Sequence, residues 1–399
     1  MMRSPASRGV RLGVFLLSSA GLCLAEPVLA GVASPSYQCT RSGTAGDAAL
    51  IPYFEVDLSN SLVKDTFIGM RRYLDHSGTP ALYRVTLWTD FAIPTVSFDV
   101  VVNQTKEIGL GLMLGAGLLP NSDADRAAAA ASYTGCNSYP PPASLALDVL
   151  ASAQKRHRGI SDGGSCHGKA YGDGVARGYI TIVPVHACSP TSLGGTDSPA
   201  DPTFYGSKMG GEQIFADYFY ASQTALVATS FAGVNLVADV STSPTLFTKF
   251  SGGTDDLRIF PWEWQARFFS GLAFDGGTDL IVWRDPGEVS PAAVTCGSQP
   301  SWAPLAASFS VMSENGSQTA SGSTNAFPLA TQRVPVQQVF SPATIEAGDI
   351  YLNLFDGGSH TFFQFGHVMS AMTASGRYGV ALEAFPPAFY CPFPSSGPI

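Results

Sequence analysis

Between residues 96 and 103 the side chains alternate, with Val96, Phe98, Val100 and Val102 on one side and Ser97, Asp99 and Asn103 on the other. An extended chain sorts its side chains this way, because successive residues point to opposite faces. Leu82 to Thr89 reads the same way, and Asp65 to Tyr73 precedes it across the turn sequence Asp75-His-Ser-Gly-Thr-Pro80. β-Branched and aromatic residues in period two mark half-buried strands. The spacing predicts an antiparallel meander from about residue 50 to 110.

Comparable runs recur at 177–186, 214–220, 233–240, 278–284, 306–313, 334–340, 349–355 and 377–385, separated by Gly, Pro, Ser and Asp clusters. Helical spacing is sparse. Asp123 to Ser132 holds six Ala and Ser144 to Gln154 places Leu147, Leu150 and Ala151 three to four apart; Pro140, Pro141 and Pro142 separate the two. The pattern predicts an all-β fold, mainly antiparallel, of β-sandwich architecture with one or two short helices and long disulfide-tethered loops. Residues 156–176 and 188–211 are the long loops. The chain divides into residues 1–30, an N-terminal β-sandwich region over 31–200 and a C-terminal one over 201–399, with a single large domain as the alternative.

Composition excludes other classes. With 45% hydrophobic and only 13% charged residues the chain is not disordered. Its pI near 5.1 argues against a nucleic-acid partner.

Arg3, Arg8 and Arg11 precede an apolar stretch from Leu12 to Ala25, and Val28-Leu29-Ala30 follows. That is the layout of a secretory signal peptide cleaved after Ala30. The expected location is therefore the periplasm, cell surface or exterior, with no transmembrane segment in the mature chain. Removing 1–30 takes away three Arg and Glu26, leaving 19 basic against 30 acidic residues, a net charge of −11.

Cleavage also removes Cys23 and leaves Cys39, Cys136, Cys166, Cys188, Cys296 and Cys391. An even set in an exported chain reads as three disulfides. Cys166 and Cys188 flank one predicted strand and are expected to pair; Cys296 with Cys391 and Cys39 with Cys136 complete the set.

No motif fixes an activity. Gly-x-Ser-x-Gly, a phosphate-binding loop and zinc-type Cys or His spacing are all missing. No cofactor is expected. Calcium is the one metal weighed, because Asp255, Asp256, Asp275 and Asp279 lie in Gly-rich turns and hard cations take oxygen ligands. Trp262, Glu263 and Trp264 form the candidate ligand site: aromatic rings stack on sugars and a carboxylate fixes their hydroxyls. On a strand the two Trp share a face, which describes a core pair equally well.

Several segments together carry a resemblance. They are Arg84-Val-Thr-Leu-Trp-Thr-Asp90 through Phe98-Asp-Val100, Arg177-Gly-Tyr-Ile-Thr181 with Cys188, Gly277-Thr-Asp-Leu-Ile-Val-Trp-Arg-Asp285, Tyr351-Leu-Asn-Leu354 and Gly376-Arg-Tyr378. The chain resembles a group of secreted bacterial β-rich proteins that carry no assigned activity. The resemblance implies export and β architecture, and no functional residue follows from it. Trp283-Arg284-Asp285 is read as a buried, charge-paired structural motif. The function expected is a non-enzymatic structural or interaction role at the bacterial envelope or exterior, with an unidentified protein or glycan as partner. The alternatives are an extracellular glycan-binding module and, behind it, a secreted hydrolase.

Overall fold

The computed structural model describes residues 45–46, 48–73, 79–190, 213–222, 227–236, 263–270, 276–285, 293–301, 306–340, 345–354, 366–374 and 378–384. Residues 1–30, where a signal peptide is expected, lie outside them, as do Cys39, Cys391, Trp262, Asp255, Asp256 and Asp275.

Among the described residues, four antiparallel sheets build the fold. The first runs β4 (Pro94–Val102), β3 (Ala81–Trp88), β6 (Val175–Pro184), β1 (Ala48–Asp57), β9 (Val234–Leu236). The second runs β5 (Thr105–Gly109), β2 (Asp65–Tyr73), β7 (Gln213–Ser222), β8 (Val227–Ala232). Strands from both sides of residue 200 thus share both sheets. Their facing sides interlock through Ile51, Val85, Phe98 and Ile180 on one and Ile68, Met70, Ala216 and Tyr218 on the other.

The third sheet runs β10 (Glu263–Phe269), β15 (Ala347–Asn353), β12 (Ala307–Ser313), β13 (Gln318–Thr324). The fourth runs β14 (Thr331–Pro335), β11 (Gly277–Arg284), β16 (Gly366–Ala374), β17 (Tyr378–Glu383). β11 explains how the pairs of sheets join. Leu280 and Val282 face the third sheet, in a core with Trp264, Phe268, Ile350 and Leu352. Ile281 points the other way, into the core of the first two sheets, where Met369 of β16 accepts a hydrogen bond from the Tyr218 hydroxyl at 3.1 Å. Both faces of β11 are buried over Leu280–Trp283, so this stretch is a continuous apolar run rather than an alternation.

The meander expected over 50–110 does not form. Among the described strands between residues 48 and 109 only β3 and β4 are sequence neighbours that pair; β2 leaves to join β5 and β7, and β1 takes β6 and β9. β1 is buried over nine of its ten residues and sits inside the molecule, so it cannot be the solvent-facing start of a meander. The strand expected at 334–340 also stops early: β14 ends at Pro335, which brings no N–H to a ladder, and a helical turn, α4 (Val336–Val339), follows.

Helix α2 (Asp123–Ser132) coincides with the Ala-rich run and opens on a capping box between Ser122 and Asp125. α3 (Leu147–His157) begins three residues later than the sequence reading. α1 (Leu110–Ala116) was hidden by its glycines; it stops at Gly117, whose φ of 73° suits a residue without a Cβ.

Two disulfides are described, Cys136–Cys188 and Cys166–Cys296. The expected Cys166–Cys188 pair is corrected. The two cysteines lie beyond opposite ends of β6, and ten extended residues hold their ends ~30 Å apart, against the ~7 Å limit for bridged Cα atoms. Cys39–Cys136 and Cys296–Cys391 fall with it, since Cys136 and Cys296 are already bonded. A short bridge between Thr134 and Ala187 brings Cys136 to Cys188, and another between Cys166 and Val294 brings Cys166 to Cys296. Such bonds belong to an oxidising, extracytoplasmic compartment. No described helix is long and apolar enough to cross a membrane.

Candidate functional site

The first, second and fourth sheets leave an open cleft of about 540 Å³ where β1, the start of β2, β6, β7, β11 and β14 converge. The volume falls within the ~300–1,000 Å³ range of small-ligand sites. Its charged lining is Glu55, Lys64, Asp65, Arg177, Asp279 and Arg333. Its aromatic lining is Tyr53, Tyr171 and Tyr220.

Strand register places these groups. Glu55 on β1 sits opposite Arg177 on β6, and a register shift between Ile51 and Phe54 sets the side to which Glu55 points. Arg333 is opposite Ile281, two residues from Asp279 on the same strand, so its guanidinium reaches diagonally across the ladder. It donates from Nε to Asp279 Oδ2 at 2.7 Å and from Nη1 to Glu55 Oε1 at 2.8 Å. Lys64 Nζ meets the other Glu55 oxygen at 3.3 Å. Burial alone would raise the Glu55 carboxyl. Arg333 first, then Lys64 and Arg177, outweigh it and hold the group below its usual range.

Arg177 has its own carboxylate. It grips Asp173 with two bonds, 2.9 Å and 2.5 Å, and these hold Asp173 down to about 2. The Arg177 guanidinium also lies 4.3 Å from the centre of the Tyr171 ring, and Lys169 Nζ lies 4.9 Å from it. These cation–π contacts fix Tyr171 at the cleft mouth. Tyr220 donates its hydroxyl to the Tyr53 carbonyl at 2.8 Å. Asp65 accepts from the backbone N–H groups of Thr66 and Gly111, both at 2.7 Å, and so closes the start of α1. Burial raises its carboxyl more than those bonds lower it.

Tyr171 arrives on the loop between α3 and β6, the segment 158–174. Besides the Arg177–Asp173 bonds, that loop is tied down by the Cys166–Cys296 bond, the Cys166–Val294 backbone pair, Ser152 and Arg156 donating to Asp162, Thr89 Oγ1 donating to the His167 carbonyl at 2.5 Å, and Lys169 N donating to Asp90 Oδ1 at 3.0 Å. Asp90 is buried, and desolvation outweighs its contacts with Lys169 and Tyr171 and pushes its carboxyl up to about 7. Behind the cleft, His157 is buried between the Arg177 carbonyl at 2.9 Å and Thr95 Oγ1 at 2.6 Å. A carbonyl only accepts, so Nδ1 carries the proton and Nε2 accepts from Thr95. Burial lowers this imidazole to about 4.

The residues singled out from sequence lie elsewhere. Trp264 is only 2% exposed and meets the His367 ring edge-on at 5.0 Å. It is corrected from a stacking surface to a core residue, because its side of β10 faces the third-sheet core. Glu263 is half-buried and accepts from Asn353 Nδ2 at 3.2 Å on the neighbouring strand. Of the aspartates weighed for calcium, Asp279 is described, and its carboxylate is taken by Arg333. Among the described residues no group of three or more His, Cys, Asp or Glu gathers as metal ligands. Trp283 and Arg284 are fully buried and Arg284 donates to the carbonyls of Phe327 and Leu354, while Asp285 is half-buried, so the burial expected for Trp283-Arg284-Asp285 is seen at its first two residues.

Sequence reading missed the cleft itself. The signal was present: Glu55 interrupts the apolar run Ala48–Val56, and Arg333 stands between Gln332 and Val334 in a short strand. A charge inside an apolar strand needs a buried partner. No protein-family model and no curated protein matches this sequence.

Proposed function

We propose that this is an exported bacterial binding protein, non-enzymatic, whose cleft holds a neutral, hydroxyl-rich ligand of the saccharide class. The observation that carries this reading is the charge balance of the cleft. Three carboxylates, Glu55, Asp65 and Asp279, stand against three cations, Lys64, Arg177 and Arg333. An anion or cation site would carry an excess of one sign. A balanced lining offers donors and acceptors side by side, which is what sugar hydroxyls use, and charged partners make those bonds strong. The tyrosine bodies supply apolar contact beside them. The leader at 1–30 and the two disulfides support an exterior location. The glycan-binding role first read at Trp262, Glu263 and Trp264 thus moves to the cleft.

The test is titration calorimetry with a panel of neutral oligosaccharides, on the native protein and on Lys64→Met and Tyr171→Ala. Both positions are at the cleft mouth and outside the core. Binding of at least one sugar, weakened about tenfold or more in both variants, is the expected result. Binding that neither variant alters, or no binding across the panel, overturns the proposal. Turnover of the bound sugar overturns its non-enzymatic part.

A further inference from the structure

β13 is the outer strand of the third sheet. It pairs with β12 on one side, and among the described residues no strand pairs with its other side. Gln318, Thr319, Ser321, Gly322 and Ser323 are solvent-exposed. An open edge presents a row of N–H and C=O groups ready to accept another strand, and proteins block such edges with charge, proline or bulges. Gln318-Thr-Ala-Ser-Gly-Ser-Thr324 holds no charge and no proline. The one bulge of this pair lies between Val311 and Met312, at the Gln318 end, and Ala320 to Thr324 are regular. The nearest charged residue in the hairpin, Glu314, is paired with Arg267 at 2.8 Å.

We propose that β13 pairs with β13 of a second copy of this chain, antiparallel about a twofold axis at Ser321, to form one continuous sheet across a dimer. Charge and sequence argue for a second copy as occupant. The chain carries a net charge of −9, so two copies repel over most of their surfaces and least across an uncharged strand. The strand is also self-complementary. A twofold at Ser321 sets Ala320 against Gly322 and Ser321 against itself in the regular part of the strand, with the bulge at Thr319 lying beyond it, and no like charges are opposed and no large side chain is in the way. The same strip meeting itself is the isologous contact of a twofold dimer.

Sedimentation velocity on the full chain from micromolar to near-millimolar concentration reads the outcome. The native protein is expected to dimerise, and Ser321→Lys, which sets two ammonium groups at the axis, is expected to weaken dimerisation about tenfold or more without changing the melting temperature. Under mild oxidation Ser321→Cys is expected to cross-link to itself, because directly opposed residues lie ~4.5–5.5 Å apart at Cα. Ser308→Cys, exposed one strand inward, serves as the control and stays uncross-linked. A native protein monomeric throughout overturns the proposal. So does a dimer that Ser321→Lys leaves intact, or equal cross-linking of the two cysteine variants.

Discussion

Arg333 on β14 binds Glu55 on β1 at 2.8 Å, joining two strands 278 residues apart in sequence. The pair closes the floor of the cleft and links the first sheet to the fourth. Glu55 is 6% exposed, so its charge depends on Arg333 far more than a surface carboxylate would.

Arg333→Met should therefore destabilise the protein by about 3 kcal/mol, since it leaves the buried Glu55 carboxylate with the half-exposed Lys64 as its hydrogen-bonded cation and takes the Arg333 bond from Asp279 as well. Glu55→Gln should cost less, because Asp279 still accepts from Arg333. The double variant should cost clearly less than the sum of the two. Urea unfolding of the four proteins measures the coupling; strict additivity would show that the two side chains act independently.

Fold class was legible in the sequence because the alternation survives in Val96 to Val102 although both faces of the strand are buried: Ser97 and Asp99 meet the buried polar partners Thr86 and Arg84 on β3. Strand order was not. Nothing local tells β2 to leave β1 and pair with β7, roughly 150 residues on; the long-range packing of Ile68 and Met70 against the first sheet decides it. The cleft was illegible for the same reason. Glu55, Arg177 and Arg333 are ordinary residues in three distant segments, and only the register brings them together. The cysteines show the converse error: Cys166 and Cys188 are close in sequence, and the straight strand between them forces them apart.

The disulfide assignment predicts the outcome of peptide mapping under non-reducing conditions: one linked pair holding Cys136 and Cys188, another holding Cys166 and Cys296. Recovery of a Cys166–Cys188 peptide would refute it. The bonds close spans of 52 and 130 residues. On loop-entropy grounds, removing Cys166–Cys296 by paired alanines should cost about 0.8 kcal/mol more than removing Cys136–Cys188. The first removal should also weaken ligand binding, because that bond anchors the loop carrying Tyr171; the second should leave binding unchanged.

Gly178 marks the tightest approach behind the cleft. A Cβ there would stand 2.0 Å from the Trp88 carbonyl, 3.0 Å from Phe54 and 3.1 Å from His157 Nδ1. Backbone cannot yield as a side-chain tip can. Gly178→Ala should push β6 from β3 and cost more than about 2 kcal/mol, placing it among the severe single substitutions. Thermal unfolding measures it. Gly163→Ala is the comparison, since it shares the glycine loss but has open space around it. Its φ of 64° adds strain of order 1 kcal/mol. Equal melting temperatures for the two variants would show that the crowding at Gly178 is not limiting.

Two buried groups beside the Tyr171 loop give opposite pH responses. Desolvation raises Asp90 from 3.8 to about 7. Between those values the unfolded chain has lost the proton and the native chain keeps it, so stability falls as pH rises and Asp90's contribution is gone above about 7. Burial lowers His157 from 6.5 to about 4, so the unfolded chain takes up a proton first and stability is lost as pH falls through that window. The two trends oppose each other, and the native protein should show a shallow profile between pH 4 and 7. Asp90→Asn keeps an acceptor for Lys169 N and removes the carboxyl proton. It should be stabilised relative to the native protein at pH 8, by an amount on the order of 2–4 kcal/mol, with the gain shrinking toward pH 4. With Asp90 silent, the loss on acidification caused by His157 should emerge as a steeper fall below pH 6. Urea midpoints taken at each pH read both effects. A constant offset between the two proteins from pH 4 to 8 would mean that Asp90 does not titrate in this range.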